Sequence, residues 1–322
     1  MLYLLDGDAH FHSASGVVQS MGAGIAGNIQ IPELLVVAIP NTSFANRTRD
    51  LTPTHSKLGP DGKECEFFPT SGGGDKFLKF LKDELTPRIE SSYRTLPFRV
   101  FVGHSFGGLL VLHALLGDSP EMFQAYIAID PSVWWDNQVL VRSVEGRPKN
   151  SRKATGSVYV SLANNPDQAN AEATRRLAQG LKTAFLSELR STLQFFEAED
   201  HGSVPLLSLY RGLLFAFEGY KPRFEDSQKP SALADHVRKV SERFGIQLPP
   251  PESFVNGLGQ DSLLFKDADK AIEFFKLNVT NFPGSFNAYN SLAEAYQAKG
   301  EKALAIENYE RTLKLRSRLG VS

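Results

Sequence analysis

The first 222 residues alternate short, continuously apolar segments with longer segments whose apolar residues recur at helical spacing. A polar loop over Thr42–Gly74 interrupts this alternation. Short apolar strands separated by helices are typical of a parallel sheet covered on both faces. We therefore predict an α/β fold whose functional residues gather at the carboxyl ends of the strands. The predicted strands are residues 1–5, 33–39, 98–102, 126–129, 157–162 and 193–197.

The pattern changes after residue 222. Residues 223–262 carry Lys229-Pro230 and Pro249–Pro251, which bracket one predicted helix over Ala232–Phe244. We predict three parts: a catalytic domain over 1–222, a linker with one helix over 223–262, and a small all-α region over 263–322.

The last part contains a repeat of 34 positions. The period and the residue types resemble a tetratricopeptide repeat, and a plain helical hairpin is the alternative. So short an array should pack on the catalytic domain or on another subunit, which makes a protein partner or self-association an expectation. The matching pairs are Ala271 with Ala305, Phe275 with Tyr309, and Asn278 with Thr312.

Composition narrows the function classes. The 322 residues are 42% hydrophobic and carry a formal net charge of −1, which gives no basic field for nucleic acid or an anionic membrane. A single cysteine, Cys65, excludes an intramolecular disulfide framework. No apolar run is long enough to span a membrane, and Met1–Leu5 lacks the features of a signal peptide. We expect a cytoplasmic protein, with an incomplete N-terminus as the alternative.

The strongest motif is Gly103-His104-Ser105-Phe106-Gly107, which stands between an apolar strand and a helical run. This is the G-x-S-x-G nucleophile elbow in the context it requires. Its glycines allow strand and helix to pass closely, and the helix start places backbone N–H groups beside the serine oxygen. Ser105 is therefore the predicted nucleophile.

A serine nucleophile needs a base, and the base needs an orienting group. His201 follows the last strand and precedes a glycine, so we predict it as the base. The acid is expected just after strand 157–162, where Asp167 is favoured and Glu172 is the alternative. Glu199 or Asp200 beside His201, and a Ser–His dyad without an acid, remain open.

The remaining candidates surround these groups. The backbone amide of Phe106 and that of Gly7 or Asp8 are the expected oxyanion donors. His104, Trp134 and Arg47 are expected to line the substrate pocket. Arg47, on the long loop, could present its guanidinium to an anionic substrate group, and a solvated loop is the alternative. His10-x-His12 has the spacing of a metal pair but has no further ligands nearby, so no metal site is predicted.

With these residues placed, the chain resembles the esterase branch of the α/β-hydrolases that includes esterase D, the mycolyltransferases and the ferric-siderophore esterases. The resemblance covers roughly residues 1–220 and is greatest to the siderophore esterases. It implies hydrolysis of a small-molecule ester through an acyl-serine, without a cofactor. A non-catalytic scaffold and an acyltransferase are the alternatives. The matching stretches are Leu2–Asp8, Val37–Asn41, Arg47–Pro53, Gly103–Gly108, Ile129–Trp135 and Asp200–Gly202.

Overall fold

A computed structural model describes residues 1–22, 29–147, 155–165, 167–185 and 189–318 of the chain. Its centre is a sheet of six strands in the order β2-β1-β3-β4-β5-β6, and every neighbouring pair runs parallel. The strands are β1 (Leu2–Leu5), β2 (Val36–Ile39), β3 (Val100–His104), β4 (Ala125–Ile129), β5 (Gly156–Ala163) and β6 (Leu189–Phe196).

Thirteen α-helices lie within the described residues, and a single π-helical turn at Leu81–Leu85 joins the third to the fourth. They are α1 (Gly7–Gly22), α2 (Phe44–Leu51), α3 (Gly74–Phe80), α4 (Thr86–Ser92), α5 (Phe106–Leu116), α6 (Trp135–Glu145), α7 (Gln168–Phe185), α8 (Val204–Ala216), α9 (Pro230–Phe244), α10 (Glu252–Leu264), α11 (Ala268–Asn281), α12 (Phe286–Lys299) and α13 (Lys302–Arg318).

Both faces of the sheet are covered, which explains why its strands are continuously apolar. On β4, Tyr126 and Ala128 belong to the same buried cluster as the residues of α5. Ile127 points to the opposite face, where a Cβ on Gly212 of α8 would lie only 2.7 Å from its side chain. The predicted α/β fold with a parallel sheet is confirmed.

The turn between β3 and α5 depends on close backbone approach. Ser105 has φ 59° and ψ −117°, a conformation that non-glycine residues rarely adopt. A Cβ on Gly103 would lie 2.3 Å from the carbonyl carbon of Gly107, so no side chain fits there. Nearly all of α5 is buried, and it therefore holds this turn firmly against the sheet.

Two predicted stretches contain more helix than expected. Helix α2 lies inside the expected loop over Thr42–Gly74, and the Ser43 hydroxyl caps it by accepting from the Asn46 amide. The stretch over 223–262 holds α10 as well as α9, so the expectation of one helix was wrong. Gly259 interrupts the apolar pattern of α10 in the sequence. In the structure the Phe275 ring packs directly against Gly259 and leaves no room for a side chain there.

The chain divides into two compact units. One comprises Met1–Val18 with Leu34–Phe217, and the other comprises Gln19–Glu33 with Glu218–Ser322. In the second unit, the paired repeat positions on α11 and α13 are buried or half-buried, as expected if each pair has an equivalent place in a helical repeat. The boundaries at 222 and 262 and the tetratricopeptide assignment stay predictions, and residues 319–322 lie outside the described part.

No helix among the described residues is long and apolar enough to cross a membrane.

The turn at Gly103 gives a stability prediction. Gly103→Ala should lower the free energy of unfolding by about 3 kcal/mol, because the new methyl group would displace backbone at the elbow. Gly16→Ala in α1 is the matched control, since a Cβ there meets nothing within 4 Å. It should raise stability by about 0.5–1 kcal/mol through helix propensity. Chemical denaturation measures both, and equal effects of the two changes would contradict this account.

Candidate active site

Three neighbouring strands end in polar residues with positive φ. Asp6 follows β1 with φ 52°, Ser105 follows β3 with φ 59°, and Asp130 follows β4 with φ 38°. Such conformations in residues other than glycine cost energy and cluster at functional sites. The carboxyl edge of β1, β3 and β4 is therefore the candidate active site.

Asp130 is paired with the predicted base. Its Oδ2 lies 2.6 Å from His201 Nδ1, and the residue is only 1% exposed. The Ala163 amide donates to the other carboxylate oxygen at 3.0 Å, and Asn165 Nδ2 donates to Oδ2 at 3.3 Å. The pairing fixes the imidazole against β4 and directs its Nε2 away from the carboxylate.

Opposing effects set the pKa of Asp130. Burial is the largest effect and disfavours the charged carboxylate, which raises the pKa. The hydrogen bonds from His201 and the Ala163 amide, together with electrostatic attraction to His201 and His104, outweigh burial, so the pKa lies below its ordinary value. The Asp130 carboxyl group is therefore an anion at neutral pH.

The expectation that Asp167 orients His201 does not hold in the structure. Asp167 Oδ1 instead accepts from the Asn170 amide at 3.0 Å, at the start of α7. Glu172 is exposed on α7 and lies 3.9 Å from Arg175. The acid was sought one strand too late, since the carboxylate that pairs with His201 follows β4 and not β5.

The two acidic residues before His201 have structural places. Glu199 accepts from the Asn164 amide through its backbone carbonyl. Asp200 Oδ1 accepts from the amides of Gly202 and Ser203, both at 2.8 Å, which closes the turn that carries His201. These bonds lower the pKa of Asp200, with the bond from Ser203 as the largest cause.

His104 packs its ring against His201, with ring centroids 4.4 Å apart. Its Nε2 is buried and has no hydrogen-bond partner among the described residues. Burial lowers the pKa of His104 to about 3, and the neighbouring His201 and His10 add to the shift. His104 is thus a neutral ring that supports the face of His201.

Arg47 was expected on a loop with its guanidinium open to an anionic substrate group, and the structure differs. Arg47 lies on α2 and forms two hydrogen bonds to the Asp6 carboxylate, Nε to Oδ1 at 2.6 Å and Nη2 to Oδ2 at 2.9 Å. Asn41 Nδ2 also donates to Asp6. Sequence reasoning missed Asp6, because nothing in the sequence marks a pair 41 residues apart.

The Arg47 pair braces the predicted oxyanion loop. Gly7 and Asp8 begin α1 and Phe106 begins α5, so their amides are first-turn groups without intrahelical acceptors. The Arg47 guanidinium lies 5.4 Å from the centre of the Phe106 ring, and Asp8 Oδ1 accepts from the Asn41 amide. The candidate donor amides thus lie just after the ends of two adjacent strands, β1 and β3.

A cleft of about 420 Å³ opens over these groups and is lined by Asp6, Asp8, His10, Asn41, Arg47 and His104, among others. Trp134 packs against Phe106, with ring centroids 5.9 Å apart. Phe68 contacts both rings, at 5.7 Å from Phe106 and 6.1 Å from Trp134. The predicted pocket residue Trp134 therefore belongs to an aromatic wall beside Ser105.

The chemistry of this edge follows from its parts. A hydroxyl on a strained turn at a helix start is exposed to attack a carbonyl carbon, and a neutral imidazole held by a buried carboxylate can take its proton. That chemistry on a parallel sheet defines the serine hydrolases of the α/β-hydrolase class. The relatives of this chain identify its family within that class.

Residues 1–201 match the model of the family described as "Putative esterase". The chain belongs to this family and is a carboxylic-ester hydrolase. It is 30% identical over 230 residues to ferri-bacillibactin esterase BesA of Bacillus subtilis, which covers 67% of this chain and 78% of that protein. It is 27% identical over 261 residues to the siderophore triacetylfusarinine C esterase of Aspergillus fumigatus, over 68% of this chain and 82% of that one.

A crystal structure of an IroE-like serine hydrolase from Shewanella oneidensis is similar to this chain with a TM-score of 0.72. The two are 29% identical, and the match covers 86% of this chain and 88% of the other. The family membership confirms the predicted resemblance, and the scaffold alternative is not favoured.

The two candidate acids can be told apart by matched substitutions. Asp130→Asn should lower kcat for a p-nitrophenyl ester by about a thousandfold or more, because the amide can hold His201 in the wrong tautomer. Asp167→Asn keeps an acceptor for the Asn170 amide and should change kcat by less than about twofold. Steady-state kinetics of both variants decide, and a larger loss in the Asp167 variant would restore the original assignment.

Proposed function

We propose that this chain hydrolyses esters of the siderophore class through an acyl intermediate on Ser105. The observation that carries the proposal is the contact between His201 Nδ1 and the buried Asp130 carboxylate, at the sheet edge where the elbow presents Ser105. The relatives named as siderophore esterases support the substrate class.

In the proposed acylation step, Ser105 Oγ attacks the ester carbonyl carbon while its proton passes to His201 Nε2. Asp130 accepts from Nδ1–H and stabilises the imidazolium that forms. The amides of Phe106 and of Gly7 or Asp8 donate to the carbonyl oxygen as it becomes negative. His201 then gives the proton to the leaving alcohol, which departs and leaves the acyl group on Ser105.

In the second step, water takes the place of the alcohol. His201 removes a proton from water, which attacks the acyl carbon, and the proton is returned to Ser105 Oγ as the acid leaves. Neutral His104 suits this cycle, because a second positive ring against His201 would oppose formation of the imidazolium. The cycle uses only groups of the protein, the ester and water.

The aromatic wall supports a substrate with large flat faces. Trp134, Phe68 and Phe106 pack together beside Ser105, and Phe44 lies 6.4 Å from Phe68 between ring centroids. Phe44 and Phe67 remain 58% and 75% exposed. Exposed aromatic rings that adjoin such a wall provide stacking surface for an incoming ring or chelated ligand.

Two further expectations stay predictions. The cytoplasmic location is tested by cell fractionation. Self-association or partner binding through the C-terminal helices is tested by the mass of the full chain in solution with and without residues 263–322.

The nucleophile assignment predicts a labelling result. A fluorophosphonate should form a covalent adduct on the peptide that contains Ser105, and a ferric or iron-free siderophore trilactone should compete with it. Ser105→Ala should abolish labelling and ester turnover. Ser119→Ala should leave both unchanged, because Ser119 is a half-buried residue before the short helix Pro120–Met122 whose hydroxyl accepts from Lys82. Mass spectrometry locates the adduct. An adduct on another residue, or full turnover by the Ser105 variant, would contradict the proposal.

A further inference from the structure

Ser132 contacts the predicted nucleophile and has no role in the steps above. Its hydroxyl oxygen lies 3.3 Å from Ser105 Oγ, and its backbone amide donates to the Ser105 carbonyl at 3.1 Å. Ser132 is 5% exposed, so water does not compete freely for its hydroxyl. The nucleophile is thus held at two points by the residue two positions after Asp130.

The side chain of Asn170 fixes the loop that carries Ser132. Asn170 is 5% exposed, and its side-chain amide donates to the Pro131 carbonyl at 3.1 Å. Its oxygen accepts from the Trp134 amide at 3.0 Å. One buried side chain therefore clamps both sides of Ser132, and the distance between the two hydroxyls does not depend on a mobile loop.

The donor of the hydrogen bond between the two hydroxyls follows from which proton would otherwise lack an acceptor. Within the described part of the chain, Ser105 is the only hydrogen-bond partner of the Ser132 hydroxyl. If Ser105 were the donor, the Ser132 proton would be buried without an acceptor, at a cost of about 1–3 kcal/mol. If Ser132 is the donor, its proton is satisfied, and the proton of Ser105, which is only half-buried, remains available for transfer to the proposed base.

We propose that Ser132 donates a hydrogen bond to Ser105 Oγ and stabilises the negative charge that develops there during catalysis. The inference rests on the proposed role of Ser105 as the nucleophile. When the Ser105 proton passes to His201 and Oγ bonds to the carbonyl carbon, Ser132 keeps its own proton throughout. When the acyl–Oγ bond breaks, Ser132 again donates to the departing oxygen while His201 returns the proton.

The effect should be confined to the chemical steps. A hydrogen bond to an ionised oxygen is roughly twice as strong as one to a neutral oxygen, so Ser132 contributes more in the transition state than in the ground state. An interaction of that kind changes kcat and leaves KM nearly constant. Ser132 would then be a catalytic side chain in addition to those of Ser105, His201 and Asp130.

The test is Ser132→Ala, measured by ester turnover and by the rate of fluorophosphonate labelling. We expect kcat and the labelling rate to fall about tenfold with KM within about twofold of wild type. Ser132→Thr keeps the hydroxyl and should retain most of both rates. If the threonine variant does not fold, Ser132→Cys, a weaker donor, should give rates between those of serine and alanine.

Ser208→Ala is the matched control, because Ser208 donates to Ser161 in another buried serine pair, at 2.9 Å. It should lower stability by about 1 kcal/mol and leave kcat and the labelling rate unchanged. Wild-type rates in folded Ser132→Ala, or a threonine variant that folds and is as slow as alanine, would overturn the proposal. An adduct elsewhere than Ser105 would instead refute the nucleophile assignment, so the two failures are distinguishable.

Discussion

The candidate active site depends on the hydrogen bond between the buried Asp130 carboxylate and His201. Asp130 follows β4, accepts from the backbone amide of the last residue of β5, and holds an imidazole carried on the turn after β6. A buried carboxylate needs such partners, because burial alone disfavours its charge. The same interaction therefore stabilises the carboxyl edge of the sheet and sets the orientation of the proposed base.

The positive φ angles of Asp6, Ser105 and Asp130 impose backbone strain at the ends of three adjacent strands. Each such conformation costs on the order of 1–3 kcal/mol and persists only when surrounding contacts enforce it. Arg47 supplies two hydrogen bonds at Asp6, and His201 and the Ala163 amide supply them at Asp130. At Ser105 the enforcing contacts are backbone bonds to Ile129 and Ser132.

The sequence predicted the sheet, the elbow and the base, because these depend on local pattern. Six apolar segments became the six strands, and the strand–turn–helix context identified Ser105 without knowledge of distant residues. Asp130 was within reach as well, since it directly follows an apolar strand and stands between Ser105 and His201 in the chain. The expectation of an acid after the next strand led to Asp167 instead.

Other parts of the site could not be obtained from the sequence. The pairing of Arg47 with Asp6 and the contact between Ser132 and Ser105 join residues 41 and 27 positions apart, and each arises from how separate loops meet at one edge. Gly259 shows the same limit in the second unit, where a residue that weakens a helix is needed for contact with Phe275. Such choices are set by packing and not by propensity.

Nitrogen-15 NMR of the histidine side chains tests the central claim most directly, because the claim is that Asp130 fixes the tautomer of His201. In the neutral form, His201 Nδ1 should carry the proton and Nε2 should show the shift of an unprotonated ring nitrogen. Replacement of Asp130 by asparagine should change that distribution. An Nε2-protonated tautomer of His201 in the wild-type protein would contradict the account. So would a tautomer distribution that is unchanged in the Asp130→Asn variant.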